Sequence, residues 1–277
     1  MSTLSPFSSA ADAPLDRRAW WPALRQLTRL WCWRGKEPAL LFGMLLLSWQ
    51  TASTLFTPAA NSLFPSPLGT ATALWNSLPE LLKGTYFSFL ILLPGYFAAL
   101  VTGVGAGLLV ATTAWLSRAF FPFARVMAPI PPTVYIPYGI AILPTFRLSA
   151  IFVVFIGAFW PIFQNTAAGA LAVAGKYRDN ARVLGLSYLE YLRKVVFPAS
   201  LPHIFSGMAV GLAFSFILLT VAELFGANAG LGRFVQYYAD FADYPRMVAG
   251  ILYTGLVTFL SMSLLEWIRK RSLFWMR

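Results

Sequence analysis

The chain has 277 residues, of which 58% are hydrophobic and 11% charged, and its 21 basic side chains against 10 acidic ones give a formal net charge of +11. So much apolar and so little charged surface excludes an ordinary soluble domain or pair of domains. Cys32 and His203 are single residues of their type, which excludes disulfides within the chain and Cys/His metal cages by count.

The first 38 residues carry Arg17, Arg18, Arg25, Arg29, Arg34 and Lys36 dispersed among tryptophans. They lack the compact apolar core of a signal peptide. Beyond them, charge-free runs cover 38–79, 84–117, 126–146, 148–175, 195–222 and 247–265. Each reaches the roughly 17–25 residues that a helix needs to cross a bilayer. The pattern predicts an all-α, polytopic membrane protein with six spans near 39–57, 85–113, 126–145, 148–171, 201–223 and 247–267. The expected division is a basic segment 1–38, a transmembrane domain 39–270 and a tail 271–277. Under this topology 17 of the 21 basic residues share one side, and Lys83, Arg147, Arg233 and Arg246 fall on the other. The positive-inside rule then places both termini and residues 176–194 in the cytoplasm. Anionic headgroups of the inner leaflet account for the net charge, and no nucleic-acid partner is needed.

Along the chain, residues 64–84 read as an amphipathic helix at the outer surface, with Trp75 at headgroup level. Gly103 and Gly107, and later Gly207 and Gly211, have the spacing that lets membrane helices approach closely. The third span contains Pro129, Pro131, Pro132, Pro137 and Pro144. Backbone so interrupted belongs where protein buries it or water lines it. Tyr135, Pro137 and Tyr138 are therefore candidates for lining a passage, with packed or interfacial aromatics as the other reading of the tyrosines.

Residues 175–198 form a charged hairpin between two apolar segments. A helix over 176–184 ends at Gly185, which tolerates the left-handed conformation of a C-terminal cap. Ser187 and Glu190 have capping-box spacing for the next helix, and Leu186 and Tyr191 stand at the positions of a hydrophobic staple. Glu190 and Lys194 are in the favourable i, i+4 order. Pro198 and Pro202 are expected to interrupt helix continuation. Glu223 adjoins a long apolar run at the outer end of the fifth span, where an ionisable group suggests function. It is either a gate or solute contact, or a carboxylate satisfied by backbone N–H groups of residues 226–232. The following glycine-rich, then aromatic and acidic loop lies outside or re-enters as a plug. Gly35-Lys36 precedes Glu37 and Gly175-Lys176 precedes Tyr177, so neither completes a phosphate-binding G-x-x-x-x-G-K-[ST] loop.

These motifs together resemble a binding-protein-dependent ABC importer permease, of the branch that includes nitrate, bicarbonate, taurine and alkanesulfonate transporters. The resemblance covers most of the chain after residue 60. Its most specific part is the EAA loop, here Asp179-Asn180-Ala181, Gly185 and Val195-Val196-Phe197-Pro198 with every interval kept. Phe64-Pro65-Ser66-Pro67, Pro129-Ile130-Pro131-Pro132, Ala222-Glu223-Leu224 and Gly230-Leu231-Gly232 occur in the family's order. The resemblance implies a type I importer permease of a bacterial inner membrane. Two cytoplasmic ATPase subunits would hold ATP and Mg, with no cofactor on this chain. A second permease copy and an extracytoplasmic solute-binding protein would complete the machine. The hairpin would dock on the ATPase, with Asp179, Ala181, Gly185, Leu186, Ser187 and Glu190 shaping the contact and Arg182 supplying charge complementarity or a local ion pair. Two places depart from the branch. Thr85-Tyr86-Phe87-Ser88-Phe89 stands where an arginine is usual, and Leu143-Pro144-Thr145-Phe146-Arg147 replaces a Trp-Phe-Gly-Ile-Gly-like turn.

A non-conducting membrane scaffold that docks ATPases for another membrane protein would carry similar basic helices. The proline-rich third span and the 224–246 loop favour a conducting permease. A membrane-embedded enzyme would need convergent acid, base or metal groups, and an ion-driven carrier more intramembrane ionisable residues than this chain has.

Overall fold

A computed structural model describes residues 37–55, 64–173 and 175–276. Most of the basic N-terminal segment therefore lies outside the described residues. Helix α1, Glu37–Leu55, belongs to a unit of its own that ends at Thr57, and the second unit holds the rest. Within α1 the apolar stretch is Leu40–Leu55, matching the first expected span to within its end.

The second unit begins with α2, Pro67–Asn76. Its first turn is set by Ser66, whose hydroxyl accepts a hydrogen bond from the Gly69 N–H at 3.1 Å, and by a proline at the helix start, where no N–H is missed. A single residue, Ser77, separates it from α3, Leu78–Thr112. The amphipathic helix expected over 64–84 is thus α2 followed directly by the first turns of α3. Trp75 is exposed.

The third expected span is built from pieces rather than as one helix. Helix α4 covers Ala114–Met127, a 3-10 turn covers Pro132–Val134, and α5 covers Tyr135–Ile142. Pro129, Pro131 and Pro132 remove three of four successive donors from the backbone, so no continuous ladder can form across that stretch. Helix α6, Phe146–Leu171, follows, capped by Thr145, whose hydroxyl accepts from the Leu148 N–H. The hairpin comprises α7, Gly175–Val183, and α8, Tyr188–Tyr191. After it come α9, Phe197–Gly226, α10, Leu231–Asp240, α11, Tyr244–Ser272, and a terminal 3-10 turn, Phe274–Met276.

Pro198 and Pro202 do not interrupt the helix. Leu192–Val196 forms a π-helical turn that joins α8 to α9, so that one helical run extends from Tyr188 to Gly226. The wider turn absorbs the missing Pro198 donor and its ring, and Pro202 is carried inside the helix. At 39 residues this run is about 58 Å long, well beyond the ~30 Å of hydrocarbon in a bilayer. Four runs are long and apolar enough to cross a membrane among the described residues: Leu78–Thr112, Phe146–Leu171, Tyr188–Gly226 and Tyr244–Ser272.

Helix α6 is the packing axis of this unit, lying between α3 and α9. Both glycine pairs serve that packing. A Cβ at Gly103 would meet Ile162 at 3.0 Å and one at Gly107 would meet Thr166 at 2.7 Å, while Gly207 and Gly211 bring α9 onto Asn165 and Ile162 at 2.8 and 3.1 Å. Ile162 is consequently fully buried between two helices that carry no side chain at the point of contact. Lipid tails are as apolar as leucine, so close van der Waals contact of this kind is what holds membrane helices together.

Candidate functional site: a capped hairpin and a buried carboxyl

The two arms of the hairpin meet at a backbone geometry that glycine alone adopts freely. Gly185 has φ +68°, and the Leu186 N–H donates back to the Ala181 carbonyl at 3.0 Å, closing α7 in a Schellman-type cap. Two residues later the predicted capping box is present. The Ser187 hydroxyl accepts from the Glu190 N–H, and Glu190 Oε2 accepts from the Ser187 N–H at 3.1 Å. Glu190 Oε1 accepts from Lys194 Nζ at 2.8 Å. Those hydrogen bonds, from Lys194 first and Ser187 second, pull the Glu190 carboxyl from its ordinary 4.5 down to about 2.

One side of the hairpin is anchored. Leu192 and Val196 are buried with Ala111, Ala167 and Ala170, and Tyr191 packs on the same cluster. The Tyr188 hydroxyl lies 2.8 Å from Thr112 Oγ1 and 3.1 Å from Thr113 Oγ1, tying α8 to the end of α3. The other side is bare. Val183, Leu184 and Leu189 are 87%, 75% and 73% exposed.

Of the residues singled out in the sequence, Asp179 is exposed on α7, Leu186 is half-buried, and Ala181 is buried, so that its contribution is internal packing and its carbonyl in the cap. Arg182 lies in α7, and its side chain is outside the described residues. The residues at 183, 184 and 189 were not read from the sequence as one exposed apolar surface, although bulky apolar residues flanking a charged glycine turn were its signal.

Glu223 is fully buried. Oε1 accepts from the Ser88 hydroxyl at 2.6 Å and Oε2 from the Gly232 N–H at 2.7 Å, while Ser88 Oγ accepts from the Leu231 N–H at 2.9 Å. The carboxyl therefore closes the start of α10, where unpaired N–H groups and the helix dipole favour it. Gly230, at φ +145°, leaves room for it, since a Cβ there would stand 2.4 Å from the carboxyl carbon. Of the two readings open for Glu223, the carboxylate satisfied by the 226–232 backbone describes this arrangement. Ser88 is the partner that sequence reasoning missed, although a serine in the first half of a long apolar span is its signal. Helix α10 packs on α9, α11 and α3 and buries Leu231 and Phe234, so the loop that was expected to lie outside or re-enter is a packed helix.

Tyr135, Pro137 and Tyr138 occupy α5, whose inner face is formed by Ile136 and Gly139. Tyr138 is 70% exposed, Pro137 is exposed and Tyr135 half-buried. They share an element with one another and make no site with the enclosed Glu223.

Residues 99–273 match the family described as binding-protein-dependent transport system inner membrane component. The nitrate import permease protein NrtB of Synechocystis sp. is 31% identical over 80% of this chain and 83% of its own. The bicarbonate transport system permease protein CmpB of Synechococcus elongatus is 29% identical over 86% and 91%. Among solved structures, a chain of the MetNI methionine ABC transporter in an inward-facing conformation superimposes with a TM-score of 0.62 at 19% identity, over 71% of this chain and 98% of that one. The match spans the interrupted third segment, the capped hairpin and the α9–α10 clasp described above, and the chain belongs to this inner-membrane component family as a permease subunit of an ABC importer.

Proposed function

We propose that residues 175–198 are the element through which cytoplasmic ATPase subunits drive this permease. The observation that carries the proposal is the hairpin's two-sidedness: one face is locked to α3 and α6, and the other presents Val183, Leu184 and Leu189 to water. Apolar groups held rigidly in water mark an interaction surface. ATP and Mg would be bound by the partner. Two copies of the permease would form the pathway, each docking one ATPase, with both termini on the ATPase side and the receptor on the other. Closure of the ATPase pair would draw the two hairpins together and open the pathway outward for solute from the receptor. Hydrolysis would reset it. Such switching requires ATP to favour one state by about 5.5 kcal/mol to move a population from 1:99 to 99:1.

The named relatives import nitrate and bicarbonate, so the cargo is proposed to be a small oxyanion. The permease, its ATPase and its receptor, reconstituted in liposomes, should hydrolyse ATP faster with one of nitrate, bicarbonate or an alkanesulfonate than with receptor alone. No atom lies within 4 Å of a Cβ at Gly185, so Gly185→Arg puts its Cβ into open space and should block the ATPase surface, while its φ of +68° adds backbone strain that a second variant must control for. Gly185→Asn, a residue that tolerates positive φ, should retain coupling. Normal solute-stimulated hydrolysis by Gly185→Arg would refute the docking assignment. Stimulation by no receptor at all would favour a non-conducting scaffold.

A further inference from the structure

A cavity of about 270 Å³ lies where α6, α9 and the interrupted segment between α4 and α5 meet. Pro132 closes it on one side, Val210 and Phe214 on another, and Trp160, Gln164 and Asn165 form the α6 wall. Helix α6 is one of the four membrane-crossing runs, and its middle is otherwise apolar. The Asn165 amide donates to the Pro161 carbonyl at 2.9 Å. Gln164 is exposed and makes no hydrogen bond among the described residues. Pro161 has no N–H to give to the carbonyl of Gly157, another wall residue. The cavity thus gathers an amide with no hydrogen bond among the described residues and a backbone carbonyl whose usual helical donor is removed by proline.

Polar groups at membrane depth are costly unless a partner, water or a passing solute satisfies them. We infer that Gln164 is a specificity-determining residue of the solute pathway, making hydrogen bonds from its side-chain amide to a small, oxygen-bearing solute in this cavity. The inference rests on the permease reading given above. No lysine or arginine lines the cavity, so the contact is neutral. That suits a pathway, since a group that must release its solute can recognise it without holding it by charge.

Two experiments on the full-length chain decide it. In a Cys32→Ser background, which removes the single native thiol, Gln164→Cys is exposed in membranes to a charged, water-borne methanethiosulfonate. Val154→Cys, at a fully buried position on the same helix, serves as the control. The thiol at 164 should react at least ~10-fold faster than the one at 154, and more slowly when the transported oxyanion and receptor are present. In reconstituted transporter, Gln164→Leu should lose ~10-fold in the stimulation of ATP hydrolysis by solute, the size expected for one lost hydrogen bond. Reaction only with a membrane-soluble maleimide would mean that the amide faces lipid, and would overturn the inference. Spontaneous disulfide formation between two copies with the charged reagent excluded would mean a subunit contact, and would also overturn it. Unchanged solute stimulation in Gln164→Leu would do the same. Labelling reports water in the cavity whether or not a cargo has been found, so failure of the importer assignment is distinguishable from failure at Gln164.

Discussion

At the residue scale, Glu223 shows how a costly group becomes a structural one. Its two oxygens receive one hydroxyl and one backbone N–H from different elements, α3 and α10, while it stands on α9. Glu223→Gln keeps the shape but turns one acceptor into a donor. With the amide oxygen on Gly232, the new N–H₂ faces the Ser88 hydroxyl, whose own proton then loses its acceptor. The expected cost is about 1–3 kcal/mol, as for a buried polar group left unpaired. Ser88→Ala should cost a similar amount, because it strips the Leu231 N–H as well. Thermal unfolding of the detergent-purified protein checks both, and a double-mutant cycle should show coupling of about 0.5–3 kcal/mol. A purely cargo-contacting Glu223 would leave the unfolding midpoint in place. The sequence marked this residue as the one acid adjoining a long apolar run at the outer end of the fifth span. It left two roles open because the partner, Ser88, is 135 positions away.

At the element scale the hairpin was legible almost residue by residue. Gly185, Ser187 and Glu190 act within a few positions of one another, and local hydrogen bonding is encoded locally. Ser187→Ala should weaken α8 by about 1 kcal/mol, measured as faster hydrogen exchange of residues 187–191 after correction for intrinsic rates. The pH dependence has a definite sign. The Glu190 carboxyl is depressed in the folded hairpin, from 4.5 to about 2, so its contribution is complete above about 4.5 and is lost as pH falls through about 2. Protection of 187–191 should be level from pH 7 to about pH 5 and decline below that. Continuation through Pro198 was not legible, because the compensating π turn depends on the packing of Leu192 and Val196 against α3 and α6. The glycines of α3 provide a contrast within one helix. A Cβ at Gly107 would stand 2.7 Å from Thr166 and 3.0 Å from the Phe163 carbonyl, whereas one at Gly105 meets nothing within 4 Å. Gly107→Ala should therefore destabilise by about 1–3 kcal/mol, and Gly105→Ala should not, as judged by thermal unfolding.

At the scale of the whole molecule, the uneven distribution of lysine and arginine implies an orientation with both termini in the cytoplasm. A C-terminal green fluorescent protein fusion should fluoresce, and a C-terminal alkaline phosphatase fusion should be inactive. The reverse pattern would invert the assignment and remove the hairpin from the ATPase side. Composition, charge-free runs and capping motifs determined the membrane class, the approximate place of four of the six expected spans and the caps of the hairpin, because bilayer thickness and capping geometry act on contiguous sequence. Whether the spans would be continuous, which glycines would touch, what would satisfy Glu223 and where Gln164 would face were decided by tertiary structure alone. Each depends on groups far apart in the chain meeting on α6, α9 and α10, and no local periodicity specifies which of several apolar helix faces will pack together.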